Sequence, residues 1–175
     1  APQDPAAPAL KKSLPISERL ARCKKNLADA SPKALILSGD FSMDGNPADT
    51  HQLMQSIQHF FPNLPIAVVP GNHDHPAELP QTHSATKEAI PSDNVFHLPD
   101  LHIIGLDTSR PGSDRGIINQ AQCRWLKQQL TELESQPTIL ITHFHLLSHQ
   151  HSMPCATYPD EFIEIVAQSS LTAVF

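Results

Sequence analysis

Three short apolar runs, each halted by a residue able to hold a proton or a cation, constrain this chain more than any other feature. Residues 34–38 (ALILS) stop at Gly39-Asp40, residues 66–69 (IAVV) at Pro70-Gly71 before Asn72 and His73, and residues 138–142 (TILIT) at His143. Short apolar runs bounded by turn residues suit strands buried on both faces. Helical spacing fills the intervals. Ile16, Leu20, Cys23 and Leu27 mark one face, with Ser17 as the expected cap. Asn46 caps a second helix, with Pro47 at its first position, Asp49 three residues after the cap, and Leu53, Ile57, Phe60 and Phe61 inward. A third starts at Asn119 with Cys123, Leu126, Leu130 and Leu133 inward and Trp125 at the edge of the stripe, and a fourth covers 159–168. Residues 95–98 and 101–106 read as strands joined at Pro99-Asp100, and 171–175 as a further strand.

Strands alternating with helices predict an α/β layered domain. With 175 residues, the chain has room for about one domain of ~150 residues. Residues 1–15, rich in Pro and Ala, read as a flexible loop or tail, and 16–175 as the domain. In open α/β sheets ligands bind beyond the carboxyl ends of the strands. That rule places Asp40, Asn72, His73 and His143 at one edge.

Charge and composition narrow the partners. Twelve Lys and Arg against 18 Asp and Glu give a formal charge of −6, which counts against a broad basic surface for a nucleic-acid duplex. An anionic substrate stays open, because a bound cation inverts the local field. Aromatics are 5% against 39% hydrophobic residues, so the core is expected to be aliphatic. No apolar run approaches the ~20 residues of a membrane span, and the N-terminus carries no apolar leader. Three cysteines, Cys23, Cys123 and Cys155, form no CxxC pair. An odd, dispersed set suits a reducing compartment, so a cytoplasmic location is expected.

Taken singly, each candidate has a plainer reading. Gly-Asp also makes an Asx turn, Gly-Asn also makes a turn beside an exposed His, and a His after a strand is often an edge residue. His145, His149 and His151 read as solvated, and His51, His59, His83, His97 and His102 as structural or exposed. Arg110, Arg115 and Lys87 lie in loops where they could meet a phosphate, although solvated charge is the simpler role. Together, strand-GD, helix, strand-GNHD and strand-H in that order are hard to reach by chance.

The sequence resembles the calcineurin-like metallophosphoesterases. LILSGDFSMDG looks like that family's second motif, VVPGNHDHP its third and ILITHF its fourth. LDTSRPG and GIINQAQCRWLKQQL are similar to stretches in the branch containing bacterial cyclic-AMP phosphodiesterases (the class III cyclic nucleotide phosphodiesterases). The resemblance implies a layered sandwich of mixed sheets flanked by helices. It implies a phosphodiesterase acting on a cyclic nucleotide or related small phosphoester by attack of a metal-bridging hydroxide. Asp40 would be the carboxylate bridging two metals, Asn72 and His143 ligands of the second metal, and His73 the catalytic histidine beside the leaving oxygen. Mixed oxygen and nitrogen ligands suit Mn, Fe or Zn. Two cations about 3.5 Å apart lower the pKa of a shared water and neutralise phosphate oxygens.

Two of the family's motifs are missing. The first, D-x-H, has no counterpart in 1–15, and the last, G-H-x-H, would follow the apolar run at 171–175. The domain is therefore expected to be partial, truncated at both ends, holding at most one cation weakly and hydrolysing phosphoesters poorly alone. The acid that many relatives carry three residues after the bridging Asp is here Met43, leaving Asp44 or Asp74 to orient His73. If the missing motifs are absent from the gene, the alternative is a non-catalytic scaffold or binding domain. A His-rich metal store is a weaker third reading, because the histidines are dispersed.

Overall fold

A computed structural model describes residues 14–74, 93–110, 113–133, 136–146 and 155–175. The expectations for the tail at 1–13, for most of the Pro- and His-rich stretch at 74–94, and for His83, Lys87, His149 and His151 lie outside the described residues.

The described chain runs α1 (Ile16–Asn26), β1 (Leu35–Leu37), α2 (Pro47–Phe60), β2 (Ile66–Val68), β3 (Asn94–Leu98), β4 (Leu101–Leu106), α3 (Gln120–Glu132), β5 (Thr138–Thr142), α4 (Asp160–Gln168) and β6 (Leu171–Val174). β1 and β2 form a parallel pair, with Ile36 opposite Ala67. The other strands form a mixed sheet ordered β3-β4-β5-β6, antiparallel at β3-β4 and parallel beyond.

Side-chain alternation stacks these parts in four layers. Ile66 and Val68 point outward to Met54, Ile57 and Phe61 of the α2 segment, with Leu20 and Leu27 of the α1 segment packed alongside. Ala67 and Val69 point inward, against Ile103 and Ile141 of the larger sheet. On the far face of that sheet, Ile104, Leu106 and Leu140 pack with Cys123, Leu126 and Leu130 of α3 and Phe162 and Ile165 of α4. Removing a side chain such as Leu126 from water stabilises the fold by roughly 1.5–3 kcal/mol. The core is mostly aliphatic, but Phe41, Phe61, Phe144 and Phe162 are buried in it as well.

The helix starts follow their caps. Asn46 accepts the N–H of Ala48 at 3.0 Å, and Pro47 occupies the first helical position. Asn119 and Gln122 form a reciprocal capping box at the start of α3. Two expectations need correction. Ser17 is not a cap. Pro15, extended at φ −51° and ψ 146°, takes that place with no side-chain bond, and its carbonyl accepts the N–H of Glu18 and Arg19. β1 is not buried on both faces, since Ile36 is 41% exposed while Leu35 and Leu37 pack toward the helices. β2 is buried at every position and packs across to β4.

Candidate functional site

The carboxyl ends of β1, β2 and β5 open on one edge, and the structure brings Asp40, Asn72 and His143 together there. The turn after β1 is tight. Gly39 has φ +93° and Asp40 φ +57°, the latter in the left-handed region that few non-glycine residues adopt. A Cβ on Gly39 would strike the Gly71 backbone nitrogen and lie 2.7 Å from His143 Nδ1. Only glycine lets the two loops and the imidazole approach this closely.

His143 reaches across the two sheets. Its Nδ1 lies 2.6 Å from the Ser38 carbonyl oxygen, so Nδ1–H donates there. In the neutral ring that bond fixes the tautomer and places the free lone pair on Nε2. Nε2 sits 3.3 Å from Asn72 Oδ1 and 3.5 Å from Asp40 Oδ1. Three lone-pair atoms facing one another repel unless a positive charge lies between them. Donors about 2.0–2.2 Å from a tetrahedral cation stand about 3.3–3.6 Å apart, so the set fits a divalent cation in spacing and in chemistry. Among the described residues, no group of three or more His, Cys, Asp or Glu gathers at one point. The amide of Asn72 is what makes this cluster three-membered.

His73 follows directly. Its backbone N–H donates to Asp40 Oδ1 at 3.2 Å, holding the carboxylate toward the β2 loop. Asp74 is buried and accepts three backbone N–H groups: Asp40 (2.7 Å) and Gly71 (2.8 Å) at Oδ2, and Phe41 (2.8 Å) at Oδ1. Asp44 accepts the N–H of Asn46 at 3.3 Å, a local turn bond. The partners of Asp74 are main-chain donors more than 30 residues away for two of its three bonds. No side-chain pattern in the sequence marks them.

A cavity of about 520 Å3 is lined in part by Asp93, Asp107, Arg110 and Trp125. Asp107 directly follows β4, whose Leu106 pairs with Thr142 of β5, so it lies one rung from His143. Burial raises the pKa of both aspartates, and the Asp107 charge adds to the rise at Asp93. Gln122 Nε2 bridges Asp93 Oδ1 (2.9 Å) and the Asp107 carbonyl (2.8 Å). Arg115 and His145 are exposed, as are His51, His59 and His97, while His102 is buried with its Nδ1 3.1 Å from that of His97.

A helix-flanked sandwich with an acid, an amide and an imidazole at its strand ends is the metallophosphoesterase type of α/β fold. The chain belongs to the calcineurin-like phosphoesterase family, whose model matches residues 16–166. It is 33% identical over 145 residues to a probable cyclic nucleotide phosphodiesterase of Synechococcus sp., covering 81% of this chain and 55% of that protein. It is 34% identical over 121 residues to a cAMP/cGMP dual specificity phosphodiesterase of Mycobacterium tuberculosis, covering 67% and 38%. A 3′,5′-cyclic adenosine monophosphate phosphodiesterase of Escherichia coli is 29% identical over 115 residues, covering 65% and 40%. The chain thus spans about half the length of these relatives, or less. Among the described residues, no helix is long and apolar enough to cross a membrane.

Proposed function

We propose that this chain is part of a divalent-metal-dependent phosphoric ester hydrolase, a phosphodiesterase for a cyclic nucleotide or related small phosphoester. The observation that carries the reading is the meeting of Asp40 Oδ1, Asn72 Oδ1 and His143 Nε2 within 3.3–3.5 Å of the imidazole nitrogen. The names of the relatives support the substrate class. Three free cysteines support a reducing compartment such as the cytoplasm.

Asp40, Asn72 and His143 would hold one cation, with Mn, Fe or Zn suited to the mixed donors. Such a cation supplies Lewis-acid neutralisation of phosphate oxygens and a more acidic water. The chain's own part is positional. Ser38 orients His143 through Nδ1, so its lone pair faces the site. The His73 backbone holds Asp40. The His73 side chain, when protonated, would donate its proton to the departing ester oxygen. These residues supply one partial centre, so the chain by itself is expected to bind a single cation weakly and to turn over slowly. Two tightly bound ions per chain would refute that.

The test uses the full-length protein with cyclic AMP, bis-nitrophenyl phosphate and nitrophenyl phosphate, in added Mn2+. Asn72→Ala should lower diester hydrolysis by about 10²–10³-fold, the scale of losing one group that stabilises the transition state, and weaken metal binding. Unchanged hydrolysis in that variant would overturn the assignment. Absent hydrolysis of all three esters by the wild type would favour a binding domain.

A further inference from the structure

Asp74 holds both halves of the cluster without belonging to it. The residue is 7% exposed, and its carboxylate collects three main-chain donors from two loops: Asp40 and Phe41 after β1, and Gly71 after β2. Three N–H dipoles converging on one anion form a small nest, a geometry that suits negative charge. The loops are pressed together at this point. A Cβ on Gly71 would strike Asp40 Oδ1 and the Asp40 nitrogen. Asp40 itself is held at φ +57°, a strained setting that persists only where neighbours over-determine it.

We propose that Asp74 is a positioning residue that sets the spacing of the Asp40 carboxylate and the Asn72 amide oxygen, and so the cation affinity of the site. The inference rests on the metal reading above. The sequence left Asp44 or Asp74 to orient His73, and the role proposed for Asp74 here is a separate one, carried by its three backbone donors. Asparagine at this position keeps the shape but puts an NH2 where an acceptor is needed, so one N–H group faces a donor. Glutamate keeps the charge with one more methylene.

The experiment compares wild type, Asp74→Asn, Asp74→Glu and Asn72→Ala in the full-length protein. Zn2+ binding is followed by calorimetry, folding by circular dichroism, and amide exchange by NMR. Folded Asp74→Asn should bind Zn2+ about tenfold more weakly, equivalent to about 1.4 kcal/mol. The amides of Asp40, Phe41 and Gly71 should lose exchange protection together, and Asp74→Glu should recover part of both. Folded Asp74→Asn with wild-type Zn2+ affinity within twofold would overturn the proposal. Should that variant not fold, the wild-type exchange rates decide. Slow, matched exchange of the three amides supports the clamp, and unrelated rates overturn it. Zn2+ binding that Asn72→Ala leaves unchanged would instead sink the metal reading, independently of the exchange result.

Discussion

Gly71→Ala tests the site's geometry with a single carbon. The added Cβ falls within contact of Asp40 Oδ1 and the Asp40 nitrogen, and 3.0 Å from Asp40 Cγ. Ordinary carbon–oxygen contact needs about 3.5 Å, so the carboxylate or the loop must retreat by roughly 1 Å. The nearest atoms are a backbone nitrogen and a carboxylate already tied by the His73 N–H, so little can yield cheaply. Overpacking of this kind costs about 1–3 kcal/mol. Each weakened N–H bond to Asp74 adds about 1 kcal/mol. Urea unfolding should therefore show a loss of about 2–4 kcal/mol. Zn2+ affinity should fall at least tenfold, because a 1 Å retreat takes Oδ1 out of reach of a shared cation. Gly105→Ala is the control. Its Cβ would meet Asn94 Oδ1 at 2.8 Å and Val69 Cγ2 at 2.9 Å, both side-chain atoms. It should destabilise the fold but weaken Zn2+ binding less than Gly71→Ala does, because it touches the seam at Val69 and no atom of the donor set. Gly71→Ala with unchanged stability and unchanged Zn2+ affinity would refute the close approach of the two loops.

Other outcomes follow from the same structure. Asp93 and Asp107 have pKa values raised from 3.8 chiefly by burial, so the folded chain holds more protons than the unfolded one between that value and the raised ones. Their contribution to stability is full below the unfolded pKa and is lost as pH rises through the folded one. Asp93→Asn keeps an oxygen for the Asp107 N–H and Gln122, so its melting temperature should exceed wild type at pH 8 and match it near pH 3; the reverse order would refute the burial argument. Asn119→Ala removes the acceptor of two N–H groups at the start of α3 and should cost about 1 kcal/mol in urea unfolding. An unchanged midpoint would show that the cap contributes nothing.

The strand ends were legible because the apolar runs are short and halt at chemically distinct residues. Asp40, Asn72 and His143 are therefore readable as neighbours from the sequence, by the rule that parallel strands share one edge. Asn46 and Asn119 marked helix starts because their side chains act locally. Legibility fails where partners are remote or carry no side-chain signature. Ser17 has the right chemistry for a cap, but Pro15 is already extended and its carbonyl receives the first turn. Ile36 looks like its neighbours in sequence and differs because its side of the two-stranded sheet looks into a cavity of about 390 Å3, lined also by Ile141, Phe144 and Phe175. Asp74 spends its carboxylate on backbone groups, which every residue possesses, so its part in the site could not be read from residue types.

The two sheets meet through a narrow seam of Ala67, Val69, Ile103 and Ile141, and the donor set is divided across it. Asp40 and Asn72 ride on one layer and His143 on the other, strapped to the first by the Ser38 carbonyl. Any change in the thickness of that seam is thus converted into a change in the gap between imidazole and oxygens. Small aliphatic substitutions such as Ile141→Val, well away from any ligand, become a means of tuning which ion the edge grips.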